Sequence, residues 1–323
     1  MDKLLHISSN PHIHCGRSTT TIMRDVLIAL APATVAGVVI FGIESLLVIL
    51  SCIVSCVVFE ALFNLLVKKE QTIGDLSAVV TGLLLGLNLP TGIPVWQCVV
   101  GSAFAILVVK CLFGGIGCNP VNPAITARVF MLVSFATTMT VAGTPKIADA
   151  VAGATPLAEI AAGNELDIKT LLLGTHGGTI GETCAIALII GGLYLIVRNV
   201  ITWHIPVAFI GSVFVFTFLF NGNDVNGALY AILSGGLLLG AFFMATDYVT
   251  SPATPAGKLI FGIGAGLITV FIRYAAIPVE INGVSTVFGN YPEGVSFAIL
   301  LMNIVNPYIE KLTAHKVFGG KKA

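Results

Sequence analysis

Residues 45–67 read SLLVILSCIVSCVVFEALFNLLV, an apolar run in which Glu60 is the only charged side chain. A helix needs about 20 mostly apolar residues to cross the hydrocarbon core of a bilayer. Because lipid does not solvate exposed backbone groups, only helices and closed barrels span it. The run shows no alternation with a period of two, so it predicts a transmembrane helix and not a barrel strand.

The rest of the chain repeats this pattern. Of its 323 residues, 56% are hydrophobic and 10% are charged, whereas soluble domains contain about 25% charged residues. Apolar runs of helical length predict ten spans, at residues 24–43, 45–67, 74–90, 94–113, 123–142, 181–198, 205–221, 225–245, 257–276 and 292–312. We therefore predict an all-α integral membrane protein with about ten transmembrane helices.

The two halves of the chain contain similar stretches. Residues 78–86 read AVVTGLLLG, and residues 231–240 read AILSGGLLLG. Five spans in each half predict two inverted repeats, because an odd number of spans reverses the second copy. The predicted units are a cytoplasmic N-terminal segment (1–23), a first membrane repeat (24–142), an extracytoplasmic segment (143–180), a second membrane repeat (181–312) and a cytoplasmic tail (313–323).

The lysines and arginines indicate the orientation of the spans, since cytoplasmic loops are enriched in them. With the N-terminus in the cytoplasm, only Lys146, Lys169 and Arg273 of the 16 basic residues fall on the opposite side. We therefore expect both termini in the cytoplasm. The net charge of zero and the scattered basic residues indicate no nucleic-acid binding. The seven cysteines contain no CxxC pair and predict neither a metal site nor a disulfide framework.

Two polar loops are candidate binding sites. Residues 111–128 read CLFGGIGCNPVNPAITAR, with Asn119 and Asn122 just before a helix that Pro123 is suited to start. A helix N-terminus attracts oxygen-rich ligands, although a glycine turn with asparagine caps explains the same residues. Residues 244–258 read MATDYVTSPATPAGK and place Asp247 among hydroxyls at the end of a span. The simpler interpretation is a capped loop with a solvated carboxylate.

Glu60 and Arg128 are ionisable residues inside predicted spans. A charge at such a position costs about 2.5–3.5 kcal/mol on insertion scales, and it marks either a pathway or a paired site. Glu60 therefore predicts a cation route. The alternatives are a neutral carboxylic acid and a pair with Lys68 or Lys69 at the end of the same span.

Residues 149–158 read DAVAGATPLA and lie in the long polar interval of the chain. Asp149 is six residues before Thr155 and His176 is 21 residues after it, and no nucleophile elbow is present, so the stretch does not favour a hydrolase. Taken alone, Thr155 is typical of a hydroxyl at a loop–helix boundary, with Pro156 at the first helical position.

Together, these stretches carry a resemblance to a known family. The chain resembles the D subunits of Rnf electron-transport complexes and, more distantly, the B subunits of the Na⁺-translocating NADH:quinone reductase. The stretches that carry the resemblance occur in family order over essentially the whole chain: Ser8 with Asn10, Pro11 and His12, then GGIGCNPVNPA (114–124), GATPLA (153–158), MATDYVTSP (244–252) and YPEGVSFA (291–298) leading to Met302 and Asn303.

The resemblance implies two flavins. The first is FMN, which a flavin transferase joins through its phosphate to the threonine of an Asp-x-x-Ser/Ala-Gly-Ala-Thr motif. That motif falls on Asp149, Ala152, Gly153, Ala154 and Thr155, with alanine at 152 where serine is common. The second is non-covalent riboflavin near Asn119 and Asn122. The same resemblance implies that Glu60 and Asp247 lie on an ion pathway.

The implied function is that of a membrane flavoprotein subunit of an ion-translocating ferredoxin:NAD⁺ oxidoreductase. Electrons would cross the membrane through the two flavins, coupled to Na⁺ or H⁺ translocation in the bacterial cytoplasmic membrane. The expected partners are the A, B, C, E and G subunits of the Rnf complex, the flavin transferase, and membrane lipid. The chain has no iron–sulfur cysteine spacing and no dinucleotide fingerprint. Ferredoxin and NAD would therefore act through the partner proteins, and the chain would not be a complete enzyme alone.

Two other interpretations stay open. A channel or solute carrier of the same inverted-repeat architecture would place Thr155 at an ordinary cap and would bind no flavin. The B subunit of the Na⁺-pumping NADH:quinone reductase would bind flavin but would have a quinone site and a different set of partners.

Overall fold

The fold is known from a computed structural model, which describes residues 17–141, 143, 145–146, 156, 167–220, 224–274, 277–281, 284–288 and 293–314. The apolar helices of the first half are α1 (Thr19–Phe41), α2 (Ile43–Val67), α3 (Ser77–Leu87), α4 (Val95–Ala103), which continues as a π-helix over Phe104–Cys111, and α5 (Pro123–Ser134). A 3₁₀ turn, Ile73–Asp75, precedes α3, and a short helix, α6 (Ala136–Met139), follows α5.

The second half begins with a short helix and contains another set of apolar helices. These elements are α7 (Ile168–Leu173), α8 (Ala185–Val197), α9 (His204–Phe220), α10 (Val225–Leu233), α11 (Leu237–Leu239), which continues as a π-helix over Gly240–Met244, α12 (Pro255–Tyr274) and α13 (Gly294–Thr313). Between α12 and α13 lies one antiparallel hairpin of β1 (Ile277–Ile281) and β2 (Val284–Phe288), with Ile277 opposite Phe288.

The all-α membrane class is confirmed. Four helices, α1, α2, α12 and α13, are long and apolar enough to cross a membrane, and α10 with Leu237–Met244 makes a fifth span that is bent by 64°. Five apolar helices are shorter: Ser77–Leu87, Val95–Cys111, Pro123–Ser134, Ala185–Val197 and His204–Phe220. Among the residues described, every one of the ten predicted spans therefore corresponds to an apolar helix or to the bent pair.

Three local features differ from the predicted spans. The fifth predicted span, 123–142, is interrupted at Phe135, whose φ of −127° and ψ of 45° are not helical. The sixth, predicted from residue 181, begins only at Ala185. The hairpin at residues 277–288 was not predicted, because it follows directly on the apolar run of α12.

Hydrogen bonds join loops that the predicted path places on the same side of the membrane. At one end, Arg17 donates to the carbonyl oxygens of Asn199 at 2.9 Å and of Arg198 at 3.1 Å. At the other end, Lys146 Nζ lies 2.9 Å from Glu44 Oε1. Each contact therefore joins two loops that the predicted path places at the same end. The assignment of one end to the cytoplasm stays a prediction.

The helix pairs of the first half recur in the second half. In the first, α2 packs against α3 and α4; in the second, α9 packs against α10 and α12. Two further contacts join the halves, one between α1 and α8 and the other between α5 and α13. This is the arrangement expected of a duplicated unit, and the boundaries of the repeats stay a prediction.

Small residues allow the helices to approach closely, as is common in membranes. A Cβ atom added at Gly82 of α3 would lie 2.7 Å from Ile53 Cα of α2, and one at Gly86 would lie 3.0 Å from Ile49 Cα. By contrast, large apolar side chains such as that of Leu66 point outward and are exposed. A bilayer would cover this outer surface.

We predict that Gly82→Ala lowers the thermal unfolding midpoint in detergent, because the new methyl group meets backbone atoms of α2. Overpacking of this kind costs about 1–3 kcal/mol. Gly211→Ala is the matched control, since a Cβ there meets no atom within 4 Å and alanine favours a helix over glycine. Equal midpoints for the two variants would show that the α2–α3 contact is not tight.

Candidate functional site

A cavity of about 360 Å³ lies at the end of the bundle where α3 and α5 begin. The two polar loops singled out in the sequence both line it, the first through Gly117, Asn119 and Asn122 and the second through Asp247. Pockets for small molecules range from about 300 to 1,000 Å³ and combine apolar walls with a few polar groups. The fold therefore brings the two predicted loops together around a space of suitable size.

Asn122 caps α5 and joins the two loops. Its Oδ1 accepts hydrogen bonds from the backbone N–H groups of Ala124 at 3.0 Å and Ile125 at 3.3 Å. Its Nδ2 donates to the carbonyl oxygen of Met244 at 3.3 Å. The capping interpretation is thus confirmed for this residue, and the bond to Met244 explains why the loops meet.

Asn119 is less constrained by the fold. Its Nδ2 donates to the carbonyl oxygen of Val121 at 3.2 Å, and the side chain is buried at the wall of the cavity. Asp247 accepts a hydrogen bond from Thr250 Oγ1 at 3.2 Å. Burial raises the pKa of the Asp247 carboxyl, although the bond from Thr250 acts in the opposite direction. This acid is therefore easier to neutralise than one in water.

Glu60 is paired with a partner that its sequence neighbours do not reveal. Lys110 Nζ lies 2.9 Å from each Glu60 carboxylate oxygen and 2.6 Å from Ser77 Oγ. Thr72 Oγ1 donates to Glu60 Oε1 at 2.7 Å. Glu60 and Lys110 are both only 3% exposed, so the predicted alternative of a pair with Lys68 or Lys69 is replaced by a buried pair with Lys110.

Arg128 is the centre of a second buried cluster. Its Nη2 lies 2.9 Å from Glu182 Oε1 and 2.6 Å from Glu293 Oε2, and its Nη1 donates to Asn88 Oδ1. These partners come from the ends of α3, α8 and α13. Arg128 was predicted to be intramembrane, but its acids were missed. The signal was available, because a buried arginine requires acidic partners and Glu182 and Glu293 both lie at span ends.

Arg273 is buried as well, although it was predicted to lie on the extracytoplasmic side. Its Nη1 donates to the carbonyl oxygen of Ala231 at 3.0 Å. Within the described part of the chain, its Nε and Nη2 have no hydrogen-bond partner. The arginine therefore lies inside the bundle, at the end where α10 stops.

The predicted flavin-attachment residues Asp149, Gly153, Ala154 and Thr155 lie outside the described residues. The described residues on either side of them lie at one end of the bundle. Gly143 pairs with Gly178 as an isolated antiparallel bridge. The cavity lies at the opposite end, where α3 and α5 begin.

The fold and the buried charges define a multi-pass α-helical membrane protein with ion pairs inside the bundle. The chain belongs to the NQR2, RnfD, RnfE family, whose model matches residues 6–319. The family resemblance predicted from the sequence motifs is thereby confirmed.

Curated relatives match over nearly their whole length. The D subunit of the Na⁺-translocating ferredoxin:NAD⁺ oxidoreductase complex of Acetobacterium woodii is 45% identical over 98% of this chain and 96% of its own. The D subunit of the proton-translocating ferredoxin:NAD⁺ oxidoreductase complex of Clostridium ljungdahlii is 42% identical over the same shares. The D subunit of the ion-translocating oxidoreductase complex of Cronobacter sakazakii is 35% identical over 98% of this chain and 99% of its own.

We predict that Arg128→Met strongly destabilises the protein, because it leaves the buried Glu182 carboxylate and the partly buried Glu293 carboxylate without a cation. Removing one partner of a buried pair costs about 3–5 kcal/mol. Lys146→Met is the control, since the pair with Glu44 is exposed on both sides and such pairs contribute about 0–1 kcal/mol. The thermal unfolding midpoint in detergent is measured for both variants.

A triple variant isolates the charge effect. Replacing Glu182 and Glu293 with glutamine in the Arg128→Met background removes the unpaired charges, and we expect it to recover part of the lost midpoint. If Arg128→Met and Lys146→Met lower the midpoint equally, the buried cluster does not stabilise the bundle.

Proposed function

We propose that this chain is the membrane-embedded flavoprotein subunit, the D subunit, of an ion-translocating ferredoxin:NAD⁺ oxidoreductase. The observation that carries the proposal is the match to D subunits over 98% of this chain at 35–45% identity. These relatives match along 96–99% of their own length, which favours the D subunit over the B subunit of the NADH:quinone reductase. The expected partners are the A, B, C, E and G subunits of the Rnf complex.

The first cofactor of the proposal is FMN joined to Thr155 by a flavin transferase. The motif on Asp149, Gly153, Ala154 and Thr155 supports it. Small residues before the threonine leave room for a bulky group. A covalent bond would also keep the flavin from diffusing away from the protein.

The second cofactor is riboflavin held without a covalent bond in the cavity beside Asn119 and Asn122. The residues present fit such a group. Phe242 and Phe243 supply an apolar wall for the ring system, the two amides supply hydrogen-bonding groups, and Lys110 places a cation on the wall. A bound flavin would supply the electron chemistry, while the protein supplies position and electrostatics.

The position of the cavity, and of the described residues that flank the Thr155 segment, supports electron passage across the membrane. The cavity lies where α3 and α5 begin, and the segment that contains Thr155 joins the bundle at the opposite end, near Gly143. In the proposed topology, both termini and the cavity face the cytoplasm of a bacterium and Thr155 lies outside. Electrons would enter and leave through partner proteins that handle ferredoxin and NAD⁺.

The coupling ion is either Na⁺ or H⁺. The two relatives at 45% and 42% identity are named for Na⁺ and for protons respectively, so overall similarity does not separate the two ions. Glu60 and Asp247 are the proposed acids on the ion route. A channel or solute carrier of the same fold is the competing hypothesis, and it is distinguished by the absence of flavin.

We expect the wild-type chain, co-expressed with the flavin transferase, to give a fluorescent band in a denaturing gel. Thr155→Ala should abolish this band, because no hydroxyl remains for the phosphate ester, and Thr175→Ala should retain it as a control. Mass spectrometry of the peptide that contains Thr155 checks the attachment site. A fluorescent Thr155→Ala band would refute the attachment site, and a dark wild-type band from inserted protein would favour the channel or carrier hypothesis.

We expect Asn119→Ala to lower the riboflavin content of the purified protein. Loss of one hydrogen bond is worth about 0.5–1.5 kcal/mol, or roughly 2- to 10-fold in affinity. Riboflavin released on denaturation is quantified in the Thr155→Ala background, so that covalent FMN does not contribute. Asn119 is a better probe than Asn122, whose removal would also uncap α5.

Asn226→Ala is the control for this measurement, because Asn226 is exposed at the start of α10 and away from the cavity. Equal riboflavin content in the two variants, both at the wild-type level, would exclude a role for Asn119 in the cavity.

A further inference from the structure

The ammonium group of Lys110 occupies a cage of oxygen atoms. Its Nζ lies 2.9 Å from both Glu60 carboxylate oxygens and 2.6 Å from Ser77 Oγ. An ammonium has three N–H donors, so these three oxygens satisfy it completely. A small monovalent metal ion is held by the same kind of ligand, since hard cations bind oxygen atoms.

The cage lies between the surface and the cavity. On one side, the exposed residue Thr72 donates to Glu60 Oε1 at 2.7 Å, and Asn64 Nδ2 donates to Thr72 Oγ1 at 3.0 Å. On the other side, Lys110 and Ser77 both line the cavity. A cation would thus reach Glu60 from the surface past Thr72, and Lys110 separates Glu60 from the cavity.

We propose that this cage, formed by Glu60 and Ser77 with Thr72 beside Glu60, is a Na⁺ site that the Lys110 ammonium occupies in the present state. Negative charge arriving in the cavity would draw the ammonium toward it, and Na⁺ would then take its place beside Glu60. The first part of the proposal, a cation site, stands on the geometry of the cage. The second part, the trigger, rests on the proposed flavin in the cavity.

Electrostatics favours an exchange of cations. A carboxylate left unpaired in the interior costs several kcal/mol, so Lys110 can leave Glu60 only if another cation or a proton takes its place. Charges attract much more strongly in the low dielectric of the interior than in water. In the proposed sequence the replacement is Na⁺, so one electron exchanges one ammonium for one Na⁺.

The charges balance in this sequence. A one-electron donor of a partner protein, an iron–sulfur or flavin centre, is oxidised by one electron. A flavin bound in the cavity would take up that electron and with it one negative charge, while no covalent bond forms or breaks in this chain. The Lys110 ammonium compensates the charge in the cavity, and the incoming Na⁺ compensates Glu60.

Equilibrium binding of radioactive Na⁺ to the purified, oxidised protein tests the cage. Lys110→Met removes the ammonium but keeps an apolar stem, so we expect saturable binding of one Na⁺ per chain. The wild type, the double variant with Glu60→Gln and the surface control Lys258→Met should bind none at this site. Lys258 contacts Thr202 at the exposed end of the bundle. A monodisperse Lys110→Met protein that binds no more Na⁺ than the double variant would overturn the cage.

The midpoint potential of the non-covalent flavin, measured by dithionite titration in the wild type, tests the trigger and does not depend on the Lys110 variant folding. Binding of one Na⁺ only after reduction raises the potential by up to about 59 mV for each tenfold rise in Na⁺. We expect this slope in the wild type and none in Glu60→Gln. A wild-type potential independent of Na⁺, or the same slope in Glu60→Gln, would overturn the trigger. Purified protein without the second flavin would refute the proposed function, and the Na⁺-binding result for Lys110→Met would still decide whether the cage is a cation site.

Discussion

A charged side chain inside a membrane must be paired, and this constraint determines how the two halves of the bundle meet. Arg128 on α5 binds two carboxylates and one amide, from the ends of α8, α13 and α3. Each of these ends stops inside the bundle and carries a polar group that lipid would not solvate. The guanidinium of Arg128, whose N–H donors form a rigid fork, binds all of these polar groups. The shorter helices α3, α5 and α8 are thereby held in register with the long helix α13 around a common centre.

Among the described residues, the charge cluster around Arg128 and the Lys110–Glu60 pair have different surroundings. The Arg128 cluster is enclosed by helix ends from both halves and has no part in the cavity wall. The Lys110–Glu60 pair lies within the first half and does adjoin the cavity. The Arg128 cluster is therefore suited to stabilise the architecture. The Lys110–Glu60 pair adjoins a cavity in which a bound group could change the local charge.

The apolar runs predicted the helices because lipid and close helix packing leave few alternatives for such segments. The positions of the charges were harder to predict. Lys110 was assigned to the cytoplasmic end of a span, which stays a prediction, and the structure places it in the π-helical stretch Phe104–Cys111. A π-helix adds residues to each turn, so the face on which a residue lies no longer follows from an α-helical period. The predicted partners of Glu60 were its sequence neighbours Lys68 and Lys69, whereas Lys110 is 50 residues away in the chain. The two polar loops were found because glycine, proline and asparagine mark turns and caps locally.

The broken span at Ser234, Gly235 and Gly236 also has an electrostatic consequence. A helix end lies on each side of the break. The C-terminus of α10 carries a partial negative charge, and the N-terminus of α11 carries a partial positive charge. Arg273 donates to the carbonyl oxygen of Ala231 at the negative end. At the positive end, a Cβ on Gly236 would lie 2.7 Å from Glu182 Oε1. The break thus places two opposite fractional charges inside the bundle, each facing a side chain of the complementary sign.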